Sequence, residues 1–330
     1  MRRTSCPTCG HGLYPGNTAC LRCGTEVVFD PAAGFLALTT DRPGCANRAL
    51  IGCNRPAQAA GALCDDCRHT TVIPDLSREG AAAKWARLER AKRAVLLQVR
   101  DLGLPLADAS GAPAPRFEFR ADPPDETAPR VLTGHENGTI TLNIAEADDV
   151  ERARIRQQMN EPFRTLFGHF RHEIAHHYWD VLTAAEPGWT DRLRAAFGDE
   201  RQDYAAALAA HYENGPPADW DETFISAYAT AHPWEDFAET WAHVLHMLGG
   251  LETAQAYGLL EGTGAQDPAA LLHHPMSRLA GDWVALTIAL NAVNQAMGHE
   301  TFYPFVLSPG VIDKMETIRG ALLALAALRR

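Results

Sequence analysis

Between positions 172 and 176 the chain reads His-Glu-Ile-Ala-His. On an α-helix, residues four apart stand one above the other, about 6 Å apart along the axis. Two imidazoles at that spacing converge on one ion. Glu173 lies beside the same face, where its carboxylate reaches a water held by the ion without ligating the ion itself. The chemistry this arrangement suits is hydrolysis by a metal-activated water. By itself the motif also occurs in helices whose histidines are plain surface groups, so the rest of the chain has to decide. Catalytic zinc takes three protein ligands and keeps one position for water, and a third ligand must therefore come from elsewhere.

The best source is the segment from His232 to His243, which reads His-Pro-Trp-Glu-Asp-Phe-Ala-Glu-Thr-Trp-Ala-His. Pro233 can open a helix, which is expected to run to Gly249. Along it Glu235, Glu239, His243 and His246 share one face, and Phe237, Trp241, Val244 and Leu248 share another. Two carboxylates and two histidines in an aromatic-rich helix are costly to bury unless something pairs with them. A zinc ion and the groups around it would do so; the plain alternative is a solvated acidic face. Glu235 is assigned as the third ligand, with Asp236 and Glu239 as alternatives. Glu239, one turn on, is expected to accept a hydrogen bond from a ligand histidine. Asp180, one turn beyond His176, is a further candidate for that role. His177 points about 100° away from His176 and is not expected at the ion. His169, His211, His273 and His274 read as surface or packing residues, and nothing in the spacing requires His232 in the cleft.

Such a site hydrolyses a peptide bond when Glu173 takes the proton of the water and passes it to the leaving amine. The anionic intermediate needs a donor besides the metal. Tyr228, seven residues before Glu235, is the choice, against a plain packing role. The strand Thr139 to Ile144 is expected to offer an edge along which a substrate strand lies.

A second set of chemistry-bearing residues fills the N-terminus. All eight cysteines fall within the first 67 residues. Cys6, Cys9, Cys20 and Cys23 form two C-x-x-C knuckles, each followed by a glycine that permits the tight turn around sulfur, and supply four thiolates for a tetrahedral zinc. Cys45, Cys53, Cys64 and Cys67 are spaced less regularly and read as a second four-cysteine zinc site, against free buried thiols. Both sites would be structural. Three C-x-x-C pairs without an export signal favour metal over disulfide.

The elements that must carry these groups can be traced in the pattern. Residues 79–102 read as a helix with Trp85, Leu88, Val95 and Val99 as its apolar stripe, ended by Gly103 and Pro105. Its Lys84, Arg87, Arg90, Lys92, Arg93 and Arg100 read as a solvated face. Residues 107–130 read as a loop around a short strand at Phe117–Arg120. A hairpin follows over Arg130–Ile144, turning at Glu136-Asn137-Gly138. From about residue 150 the pattern is helical, punctuated by Pro187-Gly188, by Gly215-Pro216-Pro217 and by Gly249-Gly250. Phe163, Leu166, Phe167, Phe170, Ile174 and Tyr178 give the histidine helix a face to bury, and Pro162 suits its first turn.

The net charge is −11, which argues against nucleic acid and anionic membranes as partners. Residues 1–75 carry seven Lys/Arg against six Asp/Glu, so the cysteine-rich head has no basic stripe. Protein contact, or packing on the catalytic domain, suits it better than DNA. No apolar run is long enough for a membrane span, no secretory signal stands at the N-terminus, and a cytoplasmic location is expected.

Taken together, several stretches resemble the bacterial zinc-binding metallopeptidases that carry an N-terminal zinc ribbon. They are Cys6 to Gly10 with Cys20 to Gly24, Cys64 to Arg68, Ile73 to Leu76, Trp85 to Arg93, Leu102 to Leu106, Phe170 to Asp180, His211 to Pro217, and His232 to His243. The resemblance spans nearly the whole chain and implies a zincin-like α+β catalytic domain. The Glu-x-Phe-Ala-Glu stretch is also similar to the third-ligand helix of glutamate-zincins. There the first glutamate binds zinc and a tyrosine seven residues earlier assists catalysis; carried over, these are Glu235 and Tyr228. Asp236 stands where that group has an aromatic residue, which keeps the choice between Glu235 and Asp236 open.

The expected molecule is α+β: a head (1–75) with two structural zinc sites, and a mainly helical zincin-like domain (76–330) with a small sheet and one catalytic zinc. Its expected activity is peptide hydrolysis with Glu173 as general base and a peptide or protein as substrate. The alternative is a non-enzymatic adaptor with a silent metal site. Glu173 separates the two, since a silent site has no need of a base.

Overall fold

A computed structural model describes residues 3–125, 127–149, 152, 165–260 and 268–328. Pro162 and Phe163 lie outside the described residues. The chain divides into two compact units, one of residues 1–98 and 106–152, the other of residues 99–105 and 153–330. Their class is the expected one, mixed helix and small sheet, with a cysteine-rich region at the N-terminus.

The first unit opens with two short antiparallel pairs, β1 (Thr4–Ser5) with β2 (Gly12–Leu13) and β3 (Val27–Asp30) with β4 (Gly34–Ala37). A four-stranded sheet follows, in the order β5 (Thr70–Val72), β6 (Arg116–Arg120), β8 (Thr139–Asn143), β7 (Gly134–Glu136). The turn between β7 and β8 has Asn137 at φ 49° and Gly138 at φ 72°, the two left-handed residues a tight hairpin turn demands. Phe117, Phe119, Ile140 and Leu142 alternate along β6 and β8 and are all fully buried.

Two expectations change here. Strand β8 runs parallel to β6 on one side and antiparallel to β7 on the other. Both its edges are taken, so Thr139–Ile144 has no free edge for a substrate, and Ile144 itself begins a 3-10 turn. The hairpin was legible from local sequence, whereas β6 pairs with β8 across more than twenty residues.

The second change concerns α1 (Ala81–Asp101). Its apolar stripe is buried as the spacing predicts, but Lys92 and Arg93 are buried too. Lys92 Nζ lies 3.0 Å from Glu89 Oε1 and donates to Thr70 Oγ1, while the rings of Phe117 and Phe119 stand 5.7 and 5.9 Å away. Strands β5 and β6 cover that side of the helix, so part of the basic face is an internal ion pair.

The second unit is built on α2 (Leu166–Ala185), α3 (Gly188–Phe197), α4 (Tyr204–Asn214), α5 (Pro233–Ala256), α6 (Met276–Ala296) and α7 (Pro309–Ala327). Helix α2 starts at Thr165, whose hydroxyl accepts from the Gly168 amide, satisfying one of the donors a helix start leaves open. His232 caps α5 in the same way, accepting from the Trp234 amide, and Pro233 follows at the first turn. Helices α2 and α5 pack along each other through an aromatic seam. Tyr178 stacks on Trp241 at 5.4 Å, and Trp179 meets Phe237 edge-on at 4.9 Å. Such pairs contribute roughly 0.5–1.5 kcal/mol each beyond their buried area. The seam fixes how the histidine helix faces the carboxylate helix.

Gly249-Gly250 does not end α5, which continues to Ala256. A Cβ on Gly250 would stand 2.2 Å from the Trp283 ring, so this glycine serves close helix packing rather than termination. No helix among the described residues is long and apolar enough to cross a membrane.

Candidate metal centres

The two histidines of α2 meet the first acid of α5. One ligand atom from each of His172, His176 and Glu235 falls within 4.8 Å of the others, and all three residues are buried. His172 Nε2 is 2.9 Å from Glu235 Oε2, and His176 Nε2 is 3.9 Å from Glu235 Oε1. Bonds of 2.0–2.2 Å in a tetrahedron put ligand atoms roughly 3.3–3.6 Å apart, and the two contacts, one through each oxygen of Glu235, lie to either side of that spacing. Two imidazole nitrogens and a carboxylate oxygen, with a fourth direction left over, are a donor set that fits zinc.

Around this group the polar atoms are specifically engaged. Glu239 Oε1 accepts from His172 Nδ1 at 2.8 Å, and Glu239 Oε2 accepts from Ser226 Oγ at 2.7 Å. With both oxygens in use, Glu239 orients His172 and leaves its Nε2 directed at Glu235. Asp236, next to Glu235 but about 100° around the helix, accepts instead from Lys314 Nζ at 2.6 Å. Neither alternative acid belongs to the converging group.

Electrostatics follow from burial and pairing. Burial would raise Glu235 and Glu239, yet His172 and its neighbours hold both carboxyls down at about 2. Burial would lower His172, but hydrogen bonds to Glu235 and Glu239 hold it well above its ordinary value. The site therefore attracts positive charge strongly. Burial pushes Asp236 up to about 7 against the pull of Lys314.

Glu173 is buried, and its Oε1 lies 3.2 Å from His169 Nε2. Its Oε2 is buried without a hydrogen-bond partner among the described residues. Burial would raise this carboxyl; His169 and the two site histidines outweigh it and lower it. His169, expected at the surface or in packing, instead pairs with Glu173. The signal was available, because 169 and 173 are one helical turn apart. The ring of Tyr228 stands 6.0 Å from that of His172. Tyr204, on α4, donates its phenolic hydrogen to Glu235 Oε1 at 2.8 Å. Nothing in the sequence pointed to it, since it lies 31 residues before its partner.

The remaining polar residues of α5 go elsewhere. His243 Nδ1 meets the Tyr303 hydroxyl at 2.8 Å, and His246 Nδ1 accepts from Arg171 Nη1. Burial lowers His243 to about 4. The shared face is thus divided: its carboxylates serve the centre, and its histidines serve helix packing. His177 is buried beside Tyr178 and outside the centre, and Asp180 is exposed. His211 contacts Thr230 and Tyr228.

In the other unit the cysteines gather into two sets, Cys6, Cys9, Cys20 and Cys23, and Cys45, Cys53, Cys64 and Cys67. Sulfur atoms stand 3.7 Å apart in the pairs Cys6–Cys23, Cys9–Cys20, Cys53–Cys64 and Cys53–Cys67. A tetrahedron with 2.3 Å zinc–sulfur bonds has edges of about 3.8 Å, whereas a disulfide would need about 2.05 Å. The thiolates fit zinc. Gly10 and Gly24 follow the knuckles at φ 71° and 74°, a left-handed turn that a side chain would strain. In the second set the Cys64 and Cys67 amides donate to the sulfurs of Cys45 and Cys64.

Comparison with known proteins agrees with this chemistry. Residues 81–321 match the profile of a family described as "Putative zinc-binding metallo-peptidase", and residues 3–78 match that of a zinc-ribbon domain. Uncharacterized proteins of Mycobacterium bovis and of two Mycobacterium tuberculosis strains are 40% identical over 323 residues, covering 96% of this chain and 94% of each relative. No solved structure matches at comparable stringency.

Proposed function

The chain belongs to the family of zinc-binding metallopeptidases with an N-terminal zinc ribbon, and from that premise we propose that it hydrolyses peptide bonds at the centre formed by His172, His176 and Glu235. The observation that carries this reading is the convergence of these three buried side chains within 4.8 Å, with the buried Glu173 carboxylate near enough to feel the charge of both histidines.

Zinc, when bound, supplies Lewis acidity that lowers the pKa of a water toward neutrality and polarises a carbonyl. His172 and His176 would hold the ion, each through its Nε2. Glu239 accepts from Nδ1 of His172 and so keeps its ring in the tautomer and orientation that binding requires. Glu173 takes the proton of the attacking water at Oε2 and returns it to the departing amine nitrogen. His169 holds the other oxygen of that carboxylate. The Tyr228 hydroxyl donates to the oxygen on which negative charge develops. Burial of His172, Glu173, His176 and Glu235 keeps bulk water from these four and strengthens their interactions.

One ion at this centre and one in each thiolate set makes three zinc ions. The head binds protein rather than nucleic acid, as its balanced charge suggests. Its reduced thiolates suit the cytoplasm. The substrate is a peptide or an unstructured protein segment.

The test is turnover of a mixed peptide library by the zinc-loaded protein. Glu173→Gln is expected to lower turnover by about 10²–10⁴-fold while retaining all three ions. Three bound ions with no Glu173-dependent cleavage would instead favour the adaptor reading.

A further inference from the structure

We propose that Tyr204 is a positioning residue that selects which oxygen of Glu235 is offered to the metal, holding that ligand one-armed so that the fourth direction stays open for water. The inference rests on the reading of Glu235 as a zinc ligand.

The two oxygens of Glu235 have different surroundings. Oε2 faces His172 Nε2 at 2.9 Å and is buried without a hydrogen-bond partner among the described residues, an atom left for the ion. Oε1 accepts from the Tyr204 hydroxyl at 2.8 Å and is the oxygen that faces His176 Nε2, at the longer distance of 3.9 Å. A carboxylate beside a dication can bind through one oxygen or through both. Binding through both uses two coordination directions, one of which a hydrolytic zinc needs for water. A phenol bonded to Oε1 occupies one of its lone pairs and draws its electron density from the ion, favouring the single-oxygen mode. Ligand carboxylates are commonly held by such partners, whose loss costs about 10–100-fold in metal affinity or activity.

The setting of Tyr204 suits this role. It is the first residue of α4, a helix that buries none of its residues. Its ring packs edge-on against His232, the cap of the helix carrying Glu235, at 5.2 Å. Tyr204 is therefore placed by the same cap that places Glu235. Because α4 contributes nothing to the core, removing one hydroxyl should leave the fold intact.

The experiment uses the full chain with zinc in both thiolate sets. The ion at the His172–His176–Glu235 centre is withdrawn with a mild chelator and replaced by cobalt, whose visible absorption weakens as coordination number rises. Tyr204→Phe is expected to keep one cobalt per centre but to lose a large part of that absorption. It should also lower kcat by about 10–100-fold with KM within about twofold. An unchanged spectrum would overturn the proposal. So would loss of the ion as complete as in Glu235→Ala, since the phenol would then be holding the ligand in place rather than choosing its oxygen. Glu235→Ala is the parallel control. If it keeps the ion and the wild-type spectrum, the ligand reading itself has failed; if it loses the ion while Tyr204→Phe is indistinguishable from wild type, only the role of Tyr204 has.

Discussion

Lys314 Nζ stands 2.6 Å from Asp236 Oδ2, so the acid next in sequence to Glu235 is committed to the C-terminal helix. The same ammonium lies 3.9 Å from the centre of the Phe224 ring. Asp236 is fully buried, and a buried carboxylate stripped of its partner is costly. Lys314→Met is expected to destabilise the protein by about 3 kcal/mol, read as a lower denaturation midpoint, with zinc content unchanged. Asp236→Asn should likewise keep all its zinc. Loss of one zinc ion from Asp236→Asn would make Asp236 the third ligand after all.

His169 touches the oxygen of Glu173 opposite to the one proposed to move the proton. His169→Ala is expected to lower kcat by about tenfold with little change in KM. Metal analysis should find three ions as in the parent. Wild-type kcat in this variant would reduce His169 to a packing residue.

Tyr228 is tested by removing a single oxygen. Tyr228→Phe is expected to lower kcat by about 10²–10³-fold while leaving zinc content and thermal stability close to those of the parent. Steady-state kinetics on the best library peptide reads the effect. A fall confined to KM would place the hydroxyl in substrate binding instead.

Two glycines in neighbouring helices should respond oppositely to alanine. In Gly250→Ala the new methyl meets Trp283 at 2.2 Å, and overpacking of this kind costs about 1–3 kcal/mol. At Gly281 the added carbon meets nothing within 4 Å, so Gly281→Ala should gain roughly 0.5–1 kcal/mol from helix propensity. Thermal melts of the two variants against wild type decide the matter. Equal melting points would mean that α6 shifts freely to absorb the clash.

Metal removal should proceed in two stages. The mixed histidine–carboxylate centre, which keeps an open position, is expected to lose its ion first to a mild chelator. Hydrolysis should cease while the helical circular dichroism stays unchanged. The closed thiolate sites should need acid or a thiol reagent, and their loss should unfold the head. Among its described residues the apolar core is small, centred on Leu13, Val27, Phe29 and Phe35 with its cysteines, too little to fold without metal. Zinc release followed alongside circular dichroism tests the order.

Residue type and local spacing were enough to pick out the groups that come together. His172 and His176 follow from helix pitch, the eight cysteines from their knuckles, and the Asn137-Gly138 hairpin from its turn chemistry. Glu235 came with two rivals, because three acids within five residues of one helix cannot be ranked by periodicity alone. Tertiary packing gives each a different partner. Lys314, from a helix some eighty residues on, takes Asp236, and Ser226 with His172 takes Glu239. The same holds for β8, whose free edge disappears under a parallel partner, and for Lys92, whose solvated face is covered by β5 and β6. It holds for Tyr204, which reaches Glu235 from an exposed helix with no periodic signal of its own. A pattern in sequence says which groups share a face; the partner that arrives at that face from a distant part of the chain decides what each group does.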